Sequence, residues 1–239
     1  MQLLENSVHI WTIHLPQNKR DLSEYASILS TTETKRARSF LSNRDRESYT
    51  LARGGLRSIL SEYLGLPAKD IKLSCDRYGK PKVTGKVGQE LEFNLSHSGD
   101  YALCAVTKNT PVGIDIEKIR ARDPSHYVRI ANRYFSESEA NVIRNAPMNE
   151  VASLFFSCWT RKEAYVKQHG LGLRLPLRNF TVNVDYRKRA RLENTPWHPS
   201  DVEVTRIYDL QVASGYFAAY SIASTKSVRM KQYTKSALM

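Results

Sequence analysis

From Val112 to Glu117 apolar and polar positions alternate strictly, which predicts a strand with Val112, Ile114 and Ile116 on one face and Gly113, Asp115 and Glu117 on the other. Phe155 to Lys167 has helical spacing instead: Trp159, Lys162 and Glu163 take neighbouring positions of one face, and Glu163 stands one turn before Lys167. An earlier helical stretch ends at Ala52 to Leu66, after Arg38-Ser39-Phe40. The later one ends at Ala164 to Leu173, after Arg133-Tyr134-Phe135, and both stop at glycine. Strand-like pieces follow each helix: Ile71 to Cys75 and Leu91 to Thr107 after the first, Phe180 to Tyr186 and Val202 to Ala223 after the second. The texts Ser98-Gly99-Asp100-Tyr101-Ala102 and Ser214-Gly215-Tyr216-Phe217-Ala218 fall at matching places. The pattern predicts an α+β fold of two similar halves, residues 1–110 and 111–225, joined near Lys108 to Pro111. Residues 226–239, rich in Ser, Thr and Lys, are expected to fray as a basic tail.

At 239 residues, 41% hydrophobic and 25% charged, the chain can bury a core of its own. Cys75, Cys104 and Cys158 have no paired spacing and no adjacent zinc-ligand histidine, so they read as free thiols in a reducing compartment. No apolar run reaches membrane-spanning length and the first residues lack a signal-peptide pattern, which points to the cytoplasm. The net charge of +12 calls for an anionic partner: nucleic acid, a membrane surface, or an acidic protein together with a nucleotide. Basic clusters at Lys35 to Arg38, Arg187 to Arg191 and Lys226 to Lys235 form no single stripe, and no reading helix or aromatic-basic interleaving suggests nucleic acid. Phosphate-loop and dinucleotide fingerprints are missing too, since Gly170-Leu171-Gly172 closes a helix instead of opening one.

Two carboxylates at i and i+2 of one strand face repel unless a cation or solvent screens them. A hard divalent ion such as Mg²⁺ is the natural screen, and Asp115, Glu117 and Glu163 would supply the oxygen ligands it prefers. Phe93 to Asp100 offers hydroxyls and one imidazole, and Tyr78-Gly79-Lys80-Pro81 is a turn carrying an aromatic ring and a lysine. Each segment alone also has a plain reading: a solvated Glu/Lys pair, a hydrogen-bonded histidine, a surface turn. Ser136 reads as a helix N-cap with Glu139 at the capping-box position.

Together the segments resemble the 4'-phosphopantetheinyl transferases, of the broad-specificity monomeric type. The G-[IV]-D-[IV]-E strand stands at Gly113 to Glu117, the W-[ST]-x-K-E-[AS]-x-x-x-K helix at Trp159 to Lys167, N-x-S-H-S at Asn94 to Ser98, and G-K-P at Gly79 to Pro81. The resemblance spans most of the chain and implies a pseudo-twofold α+β fold with the active site in the cleft between halves. It further implies Mg²⁺-dependent transfer of the phosphopantetheine arm from coenzyme A to a serine of an acidic acyl or peptidyl carrier protein, releasing adenosine 3',5'-bisphosphate. By that resemblance Tyr78, Gly79, Lys80 and Pro81 border the adenine, while Arg36, Arg53, Ser96 and His97 contact the phosphates, Arg53 being exchangeable with Arg46, Arg57 or Lys35. Asp115, Glu117 and Glu163 hold the metal. Lys167, helped by Lys162, neutralises phosphate charge, and Glu163 or a metal-bound water near Glu139 serves as base. The carrier docks near Ala140 to Val151, where Val142, Ile143 and Met148 are apolar. The competing classes are a basic nucleic-acid-binding protein without activity and another Mg²⁺-dependent phosphoryl or nucleotidyl transferase.

Overall fold

In the computed structural model, residues 1–15 and 19–235 are described. The first half begins with strand β1 (Ser7–His14), followed by helices α1 (Lys19–Ser27), α2 (Thr31–Arg38) and α3 (Asn43–Leu64). Strands β2 (Leu73–Cys75) and β3 (Pro81–Val83) make a small hairpin, and β4 (Leu91–Ser98) and β5 (Tyr101–Lys108) a larger one. The second half runs β6 (Val112–Lys118), α4 (Pro124–Tyr134), α5 (Glu137–Arg144), α6 (Met148–His169), β7 (Thr181–Val182), β8 (Leu192–Asn194), α7 (Asp201–Val204), β9 (Thr205–Asp209) and β10 (Tyr216–Ala223), before a last strand, β11 (Arg229–Lys235). This is the α+β architecture the periodicity predicts.

Each half packs one 22-residue helix against a sheet. Helix α3 carries Leu56, Ile59 and Leu60 onto Trp11, Ile13, Phe93 and Cys104 of the sheet ordered β11-β1-β5-β4. Helix α6 carries Phe155, Cys158, Ala164 and Tyr165 into a core shared with α4, α5 and the sheet ordered β6-β10-β9. A third apolar layer joins the two sheets: Val8, Ile10, Leu103 and Ala105 from one, Val112, Ile114, Ile116, Tyr220 and Ile222 from the other. The alternation read in β6 therefore holds, its aliphatic face entering this layer. Both long helices end on a left-handed glycine, Gly65 at φ 65° and Gly170 at φ 69°, a conformation that costs other residues steric strain.

Three expectations are corrected. Residues 229–235 of the supposed tail form a parallel edge strand on β1 of the first half, with Tyr233 stacked on Trp11 at 4.7 Å and Lys235 paired to Glu62 at 2.7 Å. Alternate residues supply the ring and the ammonium that the first half lacks on this edge, which a composition count does not register; residues 236–239 lie outside the described residues. Phe180 to Tyr186 yields only the two-residue strand β7, because much of its backbone is bonded to side chains: the Val182 amide donates to Glu139, and the Phe180, Asn183 and Asp185 carbonyls accept from Lys162 and Arg161. Val202 opens in the short helix α7 before the strand begins. No described helix is long and apolar enough to cross a membrane, and all three cysteines are free.

Candidate active site

The two sheets meet where β4 lies beside β6, and the join is made by side chains. Asn94 Oδ1 accepts from the Ile114 amide at 2.9 Å, and Ser98 Oγ accepts from the Lys118 amide at 3.1 Å. Ser96 Oγ donates to Asp115 Oδ1 at 2.9 Å and Ser98 Oγ to Glu117 Oε2 at 2.9 Å. Helix α6 crosses above at Gly113, where its backbone comes so near that a Cβ would stand 2.0 Å from the Ala164 carbonyl oxygen. That approach sets Glu163 and Lys167 over the carboxylates of β6.

Asp115 is 3% exposed, and the Lys167 ammonium reaches its Oδ1 at 2.6 Å while also donating to Ser96 Oγ at 3.0 Å. Asp115 Oδ2 is buried without any hydrogen-bond partner. A buried carboxylate oxygen left unpaired is costly, and a cation is the partner that chemistry would supply. Burial, and then the Asp115 charge, raise the Glu117 pKa. Burial, followed by Asp115 and with a smaller part from Glu117, pushes Glu163 up to about 7. Asp115 with its orphan oxygen, beside two carboxylates raised by burial and by its charge, fits a hard divalent ion. Among the described residues no three such groups are drawn round a common point, and Lys167 is the counter-ion on Asp115.

The β2–β3 turn abuts one end of this cleft. Gly79 takes φ 94° at its tip, and Asp76 Oδ1 gathers the Tyr78 and Lys80 amides. Tyr78 lies half-buried between two guanidinium groups, Arg77 at 4.5 Å and Arg174 at 5.1 Å from its ring centre. Pro81 opens β3 opposite Cys75. The Lys80 ammonium is turned inward, donating to the carbonyls of Val112 at 3.1 Å and Gln168 at 3.0 Å, so it clamps the turn to β6 and α6. His97 opens to solvent, and the protein around it and then Lys167 hold its pKa below the ordinary value.

Other expected site residues stand elsewhere. Lys162 is fully buried on the opposite side of α6, paired with Glu139 at 2.8 Å and donating to the Leu177 and Phe180 carbonyls. Glu139 receives the Ser136 and Val182 amides besides. This sealed pair locks α5, α6 and β7 together, away from the Asp115 carboxylate that Lys167 reaches; four-residue spacing on a helix gives neighbours but does not say which flank of the face is open. Arg53 is also committed: Glu33 Oε1 accepts from its Nε at 3.0 Å and its Nη2 at 2.7 Å, while Arg57 takes Oε2 at 2.6 Å. Burial works against the Glu33 charge, but the Ser30 amide and the two arginines outweigh it and hold its pKa down. Arg36 stays exposed over the Phe40 ring. Trp159 joins Phe135 and Phe155 in the aromatic core. At the expected docking segment Val142 is 48% and Met148 81% exposed, whereas Ile143 is core. Asn94, Ser98 and Gly113 carry positions in the site that had no role assigned to them; the every-second-residue placing of Asn94, Ser96 and Ser98 was the signal available.

Comparison with known proteins follows this geometry. A family model described as the 4'-phosphopantetheinyl transferase superfamily matches residues 111–221, and one described as 4'-phosphopantetheinyl transferase, N-terminal, matches residues 15–109. The 4'-phosphopantetheinyl transferase HetI of Nostoc sp. is 36% identical over 197 residues, 82% of this chain and 82% of its own. The chain belongs to the 4'-phosphopantetheinyl transferases. The transferase is also 29% identical over 205 residues to Sfp of Bacillus subtilis, covering 84% of this chain and 88% of that one. Against the solved holo-[acyl-carrier-protein] synthase of Thermotoga maritima the TM-score is 0.36, at 16% identity, over 48% of the transferase and 64% of the synthase chain.

The raised pKa of Glu163 has a measurable sign. Between its unfolded value of 4.5 and its folded value of about 7, the folded transferase holds a proton that the unfolded chain has released. Folding stability therefore declines as pH rises through that window. In a chelating buffer the thermal midpoint should fall from about pH 5 to about pH 8, and Glu163→Gln should fall less steeply. Parallel curves for the two proteins would remove Glu163 from the carboxylate cluster.

Proposed function

We propose that this transferase moves the 4'-phosphopantetheine arm of coenzyme A onto a serine of an apo acyl or peptidyl carrier protein, with Mg²⁺ held by Asp115, Glu117 and Glu163, and releases adenosine 3',5'-bisphosphate. The observation that carries the reading is the pairing of a buried, half-unpartnered Asp115 with Ser96 and Lys167, so that anion-binding and cation-binding groups share one spot. Mg²⁺ there would neutralise and polarise the pyrophosphate oxygens. Ser96, His97 and Lys167 offer a hydroxyl, an imidazole and an ammonium to the same phosphates, and phosphoryl transfer asks for such positioning and charge neutralisation more than for covalent help. Lys167 has to exchange Asp115 for phosphate as the substrate enters. Glu163, or a water near Glu139, would take up the serine proton. The Tyr78 turn, at the Val112 end of β6, suits the adenine, with Lys80 holding the turn in place. An acidic carrier suits the net charge of +12, and the exposed Val142 and Met148 suit its apolar contacts.

Intact-protein mass spectrometry tests this directly. Purified transferase with coenzyme A, Mg²⁺ and an apo carrier should add one arm per carrier, and Asp115→Ala should add almost none while remaining folded. Several apo carriers left untouched, under conditions in which another transferase modifies them, would reject the assignment.

A further inference from the structure

Strands β4 and β6 lie side by side where the two sheets meet, yet they belong to different sheets. Elsewhere each strand is held by a backbone ladder: β4 to β5, and β6 to β10. At the join the β6 amides of Ile114 and Lys118 turn towards β4 and are received by side chains, Asn94 Oδ1 at 2.9 Å and Ser98 Oγ at 3.1 Å. Asn94 is 6% and Ser98 8% exposed, so water is a poor substitute for either acceptor. The two contacts are four residues apart on both strands, in the same direction, and Ser96 to Asp115 lies between them. A one-residue slip of β6 against β4 would turn Asp115 and Glu117 into the apolar layer.

Ser98 does a second thing. Its hydroxyl gives its proton to Glu117 Oε2 at 2.9 Å while accepting from the next amide along, which fixes both the rotor of the hydroxyl and one oxygen of that carboxylate. Losing a group that holds a ligand from behind typically costs about 10- to 100-fold in metal affinity.

We propose that Asn94 and Ser98 are positioning residues: side-chain rungs that set the register between the phosphate-side strand and the carboxylate strand, with Ser98 also aiming Glu117 at the metal. The aiming rests on the metal reading of the proposed function. The register does not.

Residue-resolved amide hydrogen exchange and Mn²⁺ binding followed by electron paramagnetic resonance separate the two. Ser98→Ala should speed exchange of the Lys118 amide by roughly tenfold or more with Ile114 unchanged, and Asn94→Ala should do the reverse. Ser98→Ala should weaken Mn²⁺ binding about 10- to 100-fold, and Ser98→Thr, which keeps the hydroxyl, should restore both readouts. Unchanged Lys118 and Ile114 exchange in the two alanine variants would overturn the rungs. Wild-type Mn²⁺ affinity in Ser98→Ala would overturn the aiming of Glu117. A wild-type protein that binds no Mn²⁺ but shows the expected exchange pattern would sink the metal reading and the aiming with it, and leave the rungs standing.

Discussion

Gly113→Ala is expected to remove nearly all turnover from a protein that is also less stable. A Cβ at this position would lie 2.0 Å from the Ala164 carbonyl oxygen, 2.3 Å from the Gln168 amide nitrogen and 2.8 Å from the Lys167 carbonyl carbon. All three are backbone atoms in the last turn and a half of α6, so no side chain can swing aside; α6 itself must retreat from β6. Overpacking of this kind costs about 1–3 kcal/mol or more. The same retreat pulls Lys167 off Asp115, a contact now 2.6 Å long, and carries Glu163 with it, and a misplacement on the order of 1 Å costs roughly 10²-fold in rate. Steady-state kinetics beside a thermal melt measure both effects. Wild-type kcat and Tm in Gly113→Ala would show that the helix is not held where the glycine sets it.

The second large effect belongs to Lys162. Removing its ammonium leaves Glu139 buried at 1% exposure, with the Ser136 and Val182 amides and the Cys158 thiol as partners for its charge. Breaking a buried pair from one side typically costs about 3–5 kcal/mol, and for a chain of this size each kcal/mol lowers Tm by about 2–4 °C. Lys162→Met should therefore melt roughly 6–20 °C lower, and adding Glu139→Gln, which keeps amide contacts but removes the stranded charge, should recover part of the loss. At a temperature where Lys162→Met is still folded, its turnover should stay within a fewfold of wild type. A variant that melts normally and has lost all activity would return Lys162 to the chemistry.

How much of this was legible beforehand depended on whether a local pattern decides the matter. The face assignment of β6 followed from alternation, and the ends of α3 and α6 from the glycines at 65 and 170, because both are set by backbone geometry within a few residues. The grouping of Ser96, Asp115, Glu163 and Lys167 came through family resemblance; hydrogen bonds join Ser96, Asp115 and Lys167. What the pattern did not reveal was direction around a helix and competition between partners. Lys162 and Glu163 are adjacent in sequence, yet one is sealed with Glu139 and the other faces the carboxylates of β6. Arg53 looked available until Glu33, twenty residues earlier, took it. The ammonium of Lys80 was similarly claimed by two carbonyls far along the chain. Each of these is a long-range pairing that only the assembled core specifies.

Strand β11 has a consequence for the way the protein is made. Chains emerge from the ribosome in order, and first halves generally fold first. Here the first half emerges with β1 as an open edge, and Trp11 lacks the Tyr233 ring that covers it in the finished protein. The seven residues that close this edge are translated only after the whole of β6 to β10. An unpaired strand edge is a template for wrong partners, so the nascent first half has to wait, exposed or guarded by chaperones, until the second half has been synthesised. Residues made after the whole second half thus decide when the edge of the first is safe.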